Sequence, residues 1–506
     1  MMSDRGSAPS ALKVGTILKD AIGYLPKAII PGLVAILSTI LYTRIFSPSI
    51  YGKLGLATAM AAPVLVVAAQ IGGQPAGRYY NQFRKTLDEV TYRRTVAAFG
   101  LGGLLMVAGL GCIAIGVLLW TGLPEHLSWG LFLSLIVSTM VSSLTILFSP
   151  LLPADFQIDA SRRVAIVSSV GSLGIALLFI WAYGRNVSFI LWAAVFINLG
   201  TLPYILHRLQ FSFNDFREGF TINIWKTELV SDFMKFGIPM AGWFFASALM
   251  STGDRYILAI YHGTTAVGLY GTAYNAVNQG VQMASGPVLT ATWPRVVSQW
   301  TKGNRDDAIA ILRSMTSFYL VVGGYIVGGV AVVGHPVFSL LIGAKFVSAY
   351  PILLPVAAGT VLWQLAHLGH ASLELVNKTK VMARNMGAAT LFNFAANIIL
   401  VPSYGLFGAA IAILVSYAFY VGLVWWTAKA PLPWSIDAKA LLKACIAAVT
   451  AVMVSQMIPA VHIFGAAGRI IFLGMIYSAC YFLVILSFNR LRRAFRGGRV
   501  GSARTP

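Results

Sequence analysis

The chain of 506 residues is 58% hydrophobic and only 10% charged, with a mean hydropathy of +0.77. Soluble domains carry about 25% charged residues, so this composition excludes a soluble enzyme, a nucleic-acid-binding domain and a disordered scaffold. The 37 basic and 16 acidic residues give a net charge of +21. In a membrane protein, the meaning of this excess depends on which side of the membrane each basic residue occupies. The composition predicts a polytopic membrane protein.

Uncharged runs between consecutive charged residues mark the predicted spans, because a helix needs about 20 mainly apolar residues to cross the hydrocarbon core. Such runs recur along the whole chain, and the one from Arg384 to Lys429 is long enough for two helices divided by the Pro/Gly turn at 401–405. With the interrupted segments 27–46 and 236–261, they predict an all-α fold with about fourteen transmembrane helices.

The basic residues test this count, since lysine and arginine concentrate in cytoplasmic loops. If the N-terminus and every alternate loop are cytoplasmic, about 30 of the 37 basic residues lie on that side. We therefore expect both termini in the cytoplasm. Residues 1–20 are polar, so no cleaved signal peptide is expected and the first helix would itself direct the chain to the membrane.

Three short matches at slowly rising offsets indicate an internal repeat. The matching residues are Pro26 and Pro239, Gly52 and Gly268, and Gln157 and Glu374. They predict two pseudo-symmetric six-helix lobes around a central cavity, parallel to each other with an axis along the membrane normal. Two extra C-terminal helices lie outside the repeat.

The repeat and the charge pattern together predict the domain boundaries. Between the lobes, the mixed aromatic and charged stretch predicts an interfacial amphipathic helix, with a plain loop as the alternative. The expected units are an N-terminal lobe with helices 1–6 (1–207), a cytoplasmic amphipathic connection (208–235), a C-terminal lobe with helices 7–12 (236–427), helices 13–14 (428–488) and a basic cytoplasmic tail (489–506).

Ionisable residues within spans are costly and mark candidate functional sites. Arg44 and Arg255 occupy near-equivalent places in the two predicted lobes. Two guanidinium groups facing a shared cavity would suit a phosphate or pyrophosphate, because arginine presents a fork of donors. The alternative is that both arginines anchor their helices at the membrane interface. Asp254, next to Arg255, would pair with a different helix or carry a coupling proton.

A second polar set lies in the predicted helix ten. His367, His370 and Glu374 are spaced i, i+3 and i+7, which places them on one helix face. That face would line the cavity, bind a cation or relay protons; the alternative is a polar stripe packed between helices. No metal site is expected, because the HxxH spacing lacks a further ligand. We also expect no catalytic residues and no cofactor.

Three segments resemble bacterial oligosaccharide flippases. Residues 33–60 pair an apolar helix with a Tyr-Gly turn, residues 253–277 contain Asp-Arg and Gly-Leu-Tyr, and residues 377–417 contain an asparagine-rich helix, a Pro-x-Tyr-Gly turn and Gly-Ala-Ala. With the two-lobe topology, the likeness covers most of the chain. The family is the polysaccharide (Wzx-type) oligosaccharide flippase branch of the superfamily that also contains multidrug exporters of the MATE kind and peptidoglycan-precursor flippases.

The resemblance implies a transporter, not an enzyme. Its substrate would be an undecaprenyl-pyrophosphate-linked oligosaccharide moving outward across the bacterial cytoplasmic (inner) membrane, for O-antigen or exopolysaccharide synthesis. Carried over by position, Arg44 and Arg255 would bind the pyrophosphate, with Lys27 and Arg78 as further candidates. The implied partners are membrane lipids and the polysaccharide polymerase and chain-length machinery, with no nucleic acid. The alternatives are a MATE-like cation-coupled small-molecule exporter and, from another class, a membrane enzyme of glycan polymerisation.

Overall fold

The apolar runs fold as helices because, in lipid, every backbone N–H and C=O group has to be hydrogen-bonded within the protein. The computed structural model describes residues 14–83, 89–121, 128–221, 225, 227–376, 378–428, 433–457 and 466–500, and over these residues it contains helices and no strands. The helices are α1 (Val14–Ile45), α2 (Pro48–Phe83), α3 (Glu89–Thr121), α4 (Trp129–Phe148), α5 (Leu151–Ala154), α6 (Ile158–Tyr183), α7 (Ser188–Arg208), α8 (Phe213–Gly219), α9 (Glu228–Thr301), α10 (Arg305–Leu341), a 3-10 helix (Ala344–Ile352), α11 (Leu353–Leu375), α12 (Thr379–Thr427), α13 (Ala438–Met457) and α14 (Ala466–Val500).

The number of membrane passes agrees with the sequence. Eleven described segments are long and apolar enough to cross a membrane, and the shorter apolar stretch Ile29–Ile45 of α1 adds one more. Two of the eleven, in α9 and α12, fold back at a glycine with non-helical backbone angles, Gly263 and Gly405, and so count twice. The expected all-α polytopic fold with about fourteen passes is confirmed.

Side-chain and backbone contacts show that the chain reverses direction at both glycines. In a straight α-helix, 20 residues span about 30 Å, yet an Arg255 Nη2 lies 3.5 Å from Asn275 Oδ1, on the other side of Gly263. In α12, a Cβ built on Gly408 would lie 2.3 Å from the carbonyl oxygen of Leu400, across Gly405. The positive φ angles of 73° and 53° at the two turns explain why glycine occupies them.

The helices α2 and α9 make a reciprocal contact through two glycines. A Cβ on Gly52 would lie 1.8 Å from the carbonyl oxygen of Thr264, and a Cβ on Gly268 would lie 2.0 Å from that of Pro48. The hydroxyls of Ser49 and Thr264 are 3.1 Å apart at the same crossing. Only glycine lets two helix backbones approach this closely, so the contact fixes the distance between α2 and the part of α9 after Gly263.

A second close approach joins the same two helices at their other end. A Cβ on Gly237, near the start of α9, would lie 2.2 Å from the carbonyl oxygen of Ile71 in α2. We call this end of the bundle, where α2 and α11 finish and α9 and α12 begin, the basic end. The first and second halves of the chain are therefore in direct backbone contact at both ends of α2.

Buried hydrophobic residues form separate clusters along the chain. The largest lies within residues 243–434, and two others lie within 42–234. The last helix, α14, attaches to α10 through two tyrosines: the hydroxyl of Tyr477 donates to the carbonyl of Tyr325 at 2.8 Å, and that of Tyr481 donates to the carbonyl of Val321 at 2.6 Å.

The segment 208–235 contains the seven-residue helix α8 and the first turns of α9. Ser212 and Asp215 form a capping box at the start of α8, and Arg93 of α3 lies 3.5 Å from the Asp215 carboxylate. Residues 222–224 and 226 of the expected amphipathic connection lie outside the described residues. A continuous interfacial helix between the halves stays a prediction.

Candidate functional site

A cavity of about 730 Å³, lined by both apolar and polar side chains, lies between α1, α6 and the part of α9 after Gly263. Among its described lining residues, Lys27 is the one charged side chain. Hydroxyl and amide groups supply the rest of the polar wall, from Ser38, Thr39 and Tyr42 of α1, Tyr51 of α2, Ser168, Ser169 and Ser172 of α6, and Asn275 and Gln279 of α9. Such a wall can hydrogen-bond sugar hydroxyls and offers one cation to an anion.

Lys27 lies toward the basic end of α1, between Pro26 and Pro31. Each proline removes one backbone hydrogen bond of the helix, so α1 is weakest beside this lysine. The ammonium donates to the hydroxyl of Ser161 in α6 at 2.7 Å, and the side chain is half-buried. An ammonium has three donors, so two remain for a ligand in the cavity.

Arg255 stands behind the cavity wall. It is buried, and its Nη2 reaches the amide oxygen of Asn275, a residue that lines the cavity. The neighbouring Asp254 is fully buried and accepts a hydrogen bond from the backbone N–H of Arg255 at 2.8 Å. Arg255 Nε and Asp254 Oδ2 have no hydrogen-bond partner among the described residues. Incompletely paired buried charges are costly, so this pair is a candidate functional site.

Arg44 does not line the cavity. Its side chain is exposed, and Nη2 donates to the carbonyls of Leu340 and Leu341 at 3.3 Å each. These are the last residues of α10, so Arg44 caps the carbonyl end of that helix, where a cation is favourable. Next to it, the backbone N–H of Gly343 donates to the Thr43 hydroxyl at 3.2 Å. Arg44 therefore contacts the end of a helix and not the cavity that Arg255 stands behind. Its role in substrate binding or in anchoring at the membrane interface stays a prediction.

The two histidines pack between helices. His370 is buried and hydrogen-bonds to the hydroxyl of Tyr420, which also accepts from the indole N–H of Trp243 at 3.0 Å. His367 Nδ1 lies 3.0 Å from the carbonyl oxygen of its neighbour one turn earlier. Neither histidine lines the cavity, and no group of three metal-ligating residues occurs in the part of the chain that the structure describes. Their arrangement fits the interhelical polar stripe.

Arg78 and Glu374 lie at the basic end, away from Lys27. Arg78 is exposed and lines a second cavity, of about 510 Å³. Its guanidinium carbon lies 4.5 Å from the ring centre of Phe236 in α9, a cation–π contact between the two halves of the chain. Glu374, in the last turn of α11, is exposed. The eight candidate site residues named from the sequence therefore do not form one site in the structure.

The charged residues of the sequence do not reveal the uncharged polar side chains that line the cavity. On α6, Ser161, Ser168 and Ser172 follow one another at seven and four residues, and on α9 Asn275 and Gln279 are four apart. Both spacings place the side chains on one helix face. A search for hydroxyl and amide stripes inside apolar helices would have found this wall, because helical periodicity applies to polar residues as it does to apolar ones.

Comparison with known protein sequences gives one functional clue. No model of a known protein family matches the chain. Over 168 residues, 33% of this chain, the sequence is 29% identical to the probable low-salt glycan biosynthesis flippase Agl15 of Haloferax volcanii. The match spans 35% of that protein's length.

Comparison with solved structures shows the fold. The chain superposes on the lipid II flippase MurJ in an inward closed conformation with a TM-score of 0.72 and 14% identity, over 92% of this chain and 98% of MurJ. It also superposes on an inward-facing MATE-family multidrug transporter with a TM-score of 0.62 and 14% identity, over 81% and 97% of the two chains. The architecture is therefore that of a MurJ/MATE-like polytopic membrane protein.

Proposed function

We propose that the protein is a flippase that moves a polyprenyl-pyrophosphate-linked oligosaccharide across a cytoplasmic membrane by alternating access, for surface polysaccharide synthesis. The observation that carries the proposal is the 730 Å³ cavity, where Lys27 stands among hydroxyl and amide groups. A glycan needs many hydrogen-bond partners, and its pyrophosphate needs a cation. Similarity to the glycan flippase and the fold shared with the lipid II flippase support the proposal.

Two cations have different parts in this proposal. Lys27 touches the pyrophosphate directly, using the donors that Ser161 leaves unused. Arg255 acts from behind Asn275, because its buried charge is screened less than an exposed one and attracts an anion in the cavity at longer range. Arg44 holds α1 to α10 instead of binding the substrate.

The direction of transport agrees with the charge of the substrate. An inside-negative potential favours outward movement of negative charge by about 2.3 kcal/mol per charge per 100 mV. A pyrophosphate linkage carries about two charges, and the membrane potential therefore assists its export. A cation held in the cavity lowers the cost of taking that charge out of water.

A cation-coupled exporter of the MATE kind is the second candidate, and Asp254 favours it. This carboxyl is fully buried and one of its oxygens lacks a hydrogen-bond partner among the described residues, an arrangement suited to exchanging a proton or a small cation. In a flippase the same residue would couple ion movement to the return of the empty carrier. The two functions differ in the substrate, which a transport assay can identify.

The test uses purified protein in liposomes with a fluorescent polyprenyl-pyrophosphate disaccharide and, in parallel, an organic dye cation. We expect flipping of the lipid and no dye transport. Lys27→Gln should slow flipping at least about tenfold, as expected for the loss of one charged hydrogen bond, while Lys302→Gln, an exposed cation at the end of α9, should not. Dye transport without lipid flipping would establish the exporter instead.

The cellular setting follows from the same proposal. We place the protein in the inner membrane of a bacterium with both termini in the cytoplasm, so the basic end faces the cytoplasm. Membrane lipids and the polymerase and chain-length machinery of the polysaccharide pathway would be its partners. Deleting the gene should then cause the lipid-linked oligosaccharide to accumulate facing the cytoplasm. Normal surface glycan without accumulation would contradict the proposal.

A further inference from the structure

The second cavity, at the basic end, is a cleft of about 510 Å³ between the two halves of the chain. Its described lining contains four cations and one carboxylate, contributed by the end of α2 and the beginnings of α9 and α12. The cations are Arg78, Lys235, Lys378 and Lys380, and the carboxylate is Asp232. If such cations were spread over a surface, they would indicate only which side of the membrane that surface faces. Here three helices bring them together in one concave site.

The cleft is built to hold an anion. Arg78 stacks on Phe236, and none of the ion pairs within 4.0 Å among the described residues includes it. The carboxylate of Glu374, at the end of α11, is near enough to interact electrostatically with it. Lys235 is 3.2 Å from Asp232, and the four cations of the lining outnumber Asp232 and the nearby Glu374 together. The first turn of α12, where Thr379 is buried, lines the same cleft.

We propose that this cleft binds the diphosphate group of a lipid-linked substrate before it enters the cavity. The proposal rests on the flippase function proposed above. Several cations in one cleft suit a diphosphate, which carries more than one negative charge, and the volume leaves room beside it for the first sugar. The close approach of Gly237 to Ile71 lies next along α2 and α9. The bound group therefore sits outside the contact that has to open for passage.

The source of the diphosphate distinguishes this site from a soluble-ligand site. The same chemistry occurs in the head group of a polyprenyl-linked glycan and in a free nucleoside diphosphate. A membrane-attached ligand fits the position better, because the cleft lies at the end of membrane-spanning helices. A loading site of this kind would raise the local concentration of substrate at the entrance of the closed pathway.

The binding test uses the full chain in nanodiscs and two probes, inorganic pyrophosphate and farnesyl pyrophosphate placed in the bilayer. The double variant Arg78→Gln/Lys380→Gln should weaken binding of both probes by about tenfold or more. The matched double variant Arg305→Gln/Lys302→Gln, which removes one arginine and one lysine that are exposed and lie outside the cleft, should leave pyrophosphate binding within about twofold. Equal losses in both variants would show a diffuse charge effect and overturn the proposal.

Two further outcomes separate this inference from the proposed function. If the cleft variant loses pyrophosphate but not farnesyl pyrophosphate, the site serves a soluble anion and the loading role is wrong. If the wild-type protein fails to flip the fluorescent lipid, yet both probes depend on the cleft, the flippase proposal fails and the binding site stands. If flipping occurs and neither probe depends on the cleft, the loading site alone is refuted.

Discussion

A single methyl group at Gly268 should separate α2 from α9 at the end opposite the basic end. A Cβ at this position would lie 2.0 Å from the carbonyl oxygen of Pro48, and Cβ atoms essentially never come closer than 3.0 Å to such an atom. The obstacle is backbone, which cannot rotate away as a side chain can. The helices therefore have to move apart by about 1 Å or more.

The cost of that movement can be bounded. Overpacking of a close contact costs about 1–3 kcal/mol. If only molecules in which α2 and α9 are in contact bear this cost, the ratio of molecules with the contact to molecules without it falls by about 5- to 150-fold. The shift also removes the hydrogen bond between the hydroxyls of Ser49 and Thr264, 3.1 Å apart in this structure.

The same two hydroxyls provide the assay. In a background with the three native cysteines replaced, Ser49→Cys and Thr264→Cys should cross-link rapidly under mild oxidation, and Gly268→Ala should slow the reaction. Gly271→Ala is the matched control, since its Cβ would meet nothing within 4 Å. Equal cross-linking rates in the two alanine variants would refute the reasoning, because the neighbours would then absorb the methyl group without separating the helices.

Three other predictions concern single side chains. Lys27→Arg should retain most lipid flipping in liposomes because the cavity keeps its cation, and a loss as large as that of Lys27→Gln would show that shape matters more than charge. Arg44→Ala should lower the unfolding free energy by about 1 kcal/mol, measured by thermal melting in detergent, and leave the affinity for farnesyl pyrophosphate unchanged. Weakened binding would show that Arg44 contributes to the substrate site. Tyr420→Phe should destabilise the protein by about 1–3 kcal/mol in the same melting assay, since the buried groups of Trp243 and His370 both lose a partner, and an unchanged melting temperature would contradict this account.

The sequence predicted the spans well because crossing a membrane imposes strict limits on composition and length. It also paired Gly52 with Gly268 as equivalent positions, and in the structure these glycines lie against each other. The sequence could not show that contact, because equivalence in a repeat says nothing about distance. The touching glycines are consistent with a symmetry axis that passes close to both.

The contacts of individual side chains could not be predicted from the sequence, for a different reason. Arg44 contacts carbonyls almost 300 residues further along the chain, and no local pattern encodes which helix end will lie beside it. His367 and His370 have the same spacing whether they face a cavity or a neighbouring helix. Helical periodicity fixes which residues share a face, whereas packing decides what that face meets.

The helix α1 is fastened at its two ends to different parts of the molecule. Its basic end is held to α6 by Lys27; its other end is held to the end of α10 by Arg44 and to Gly343, just after α10, by Thr43. Any separation of those parts therefore has to bend α1, and the prolines at 26 and 31 make the bend cheapest beside Lys27. We expect that movement of one half of the chain bends α1 and thereby displaces Lys27, the cation of the cavity. Under the proposed function, release of the bound diphosphate and opening of the pathway would then occur together.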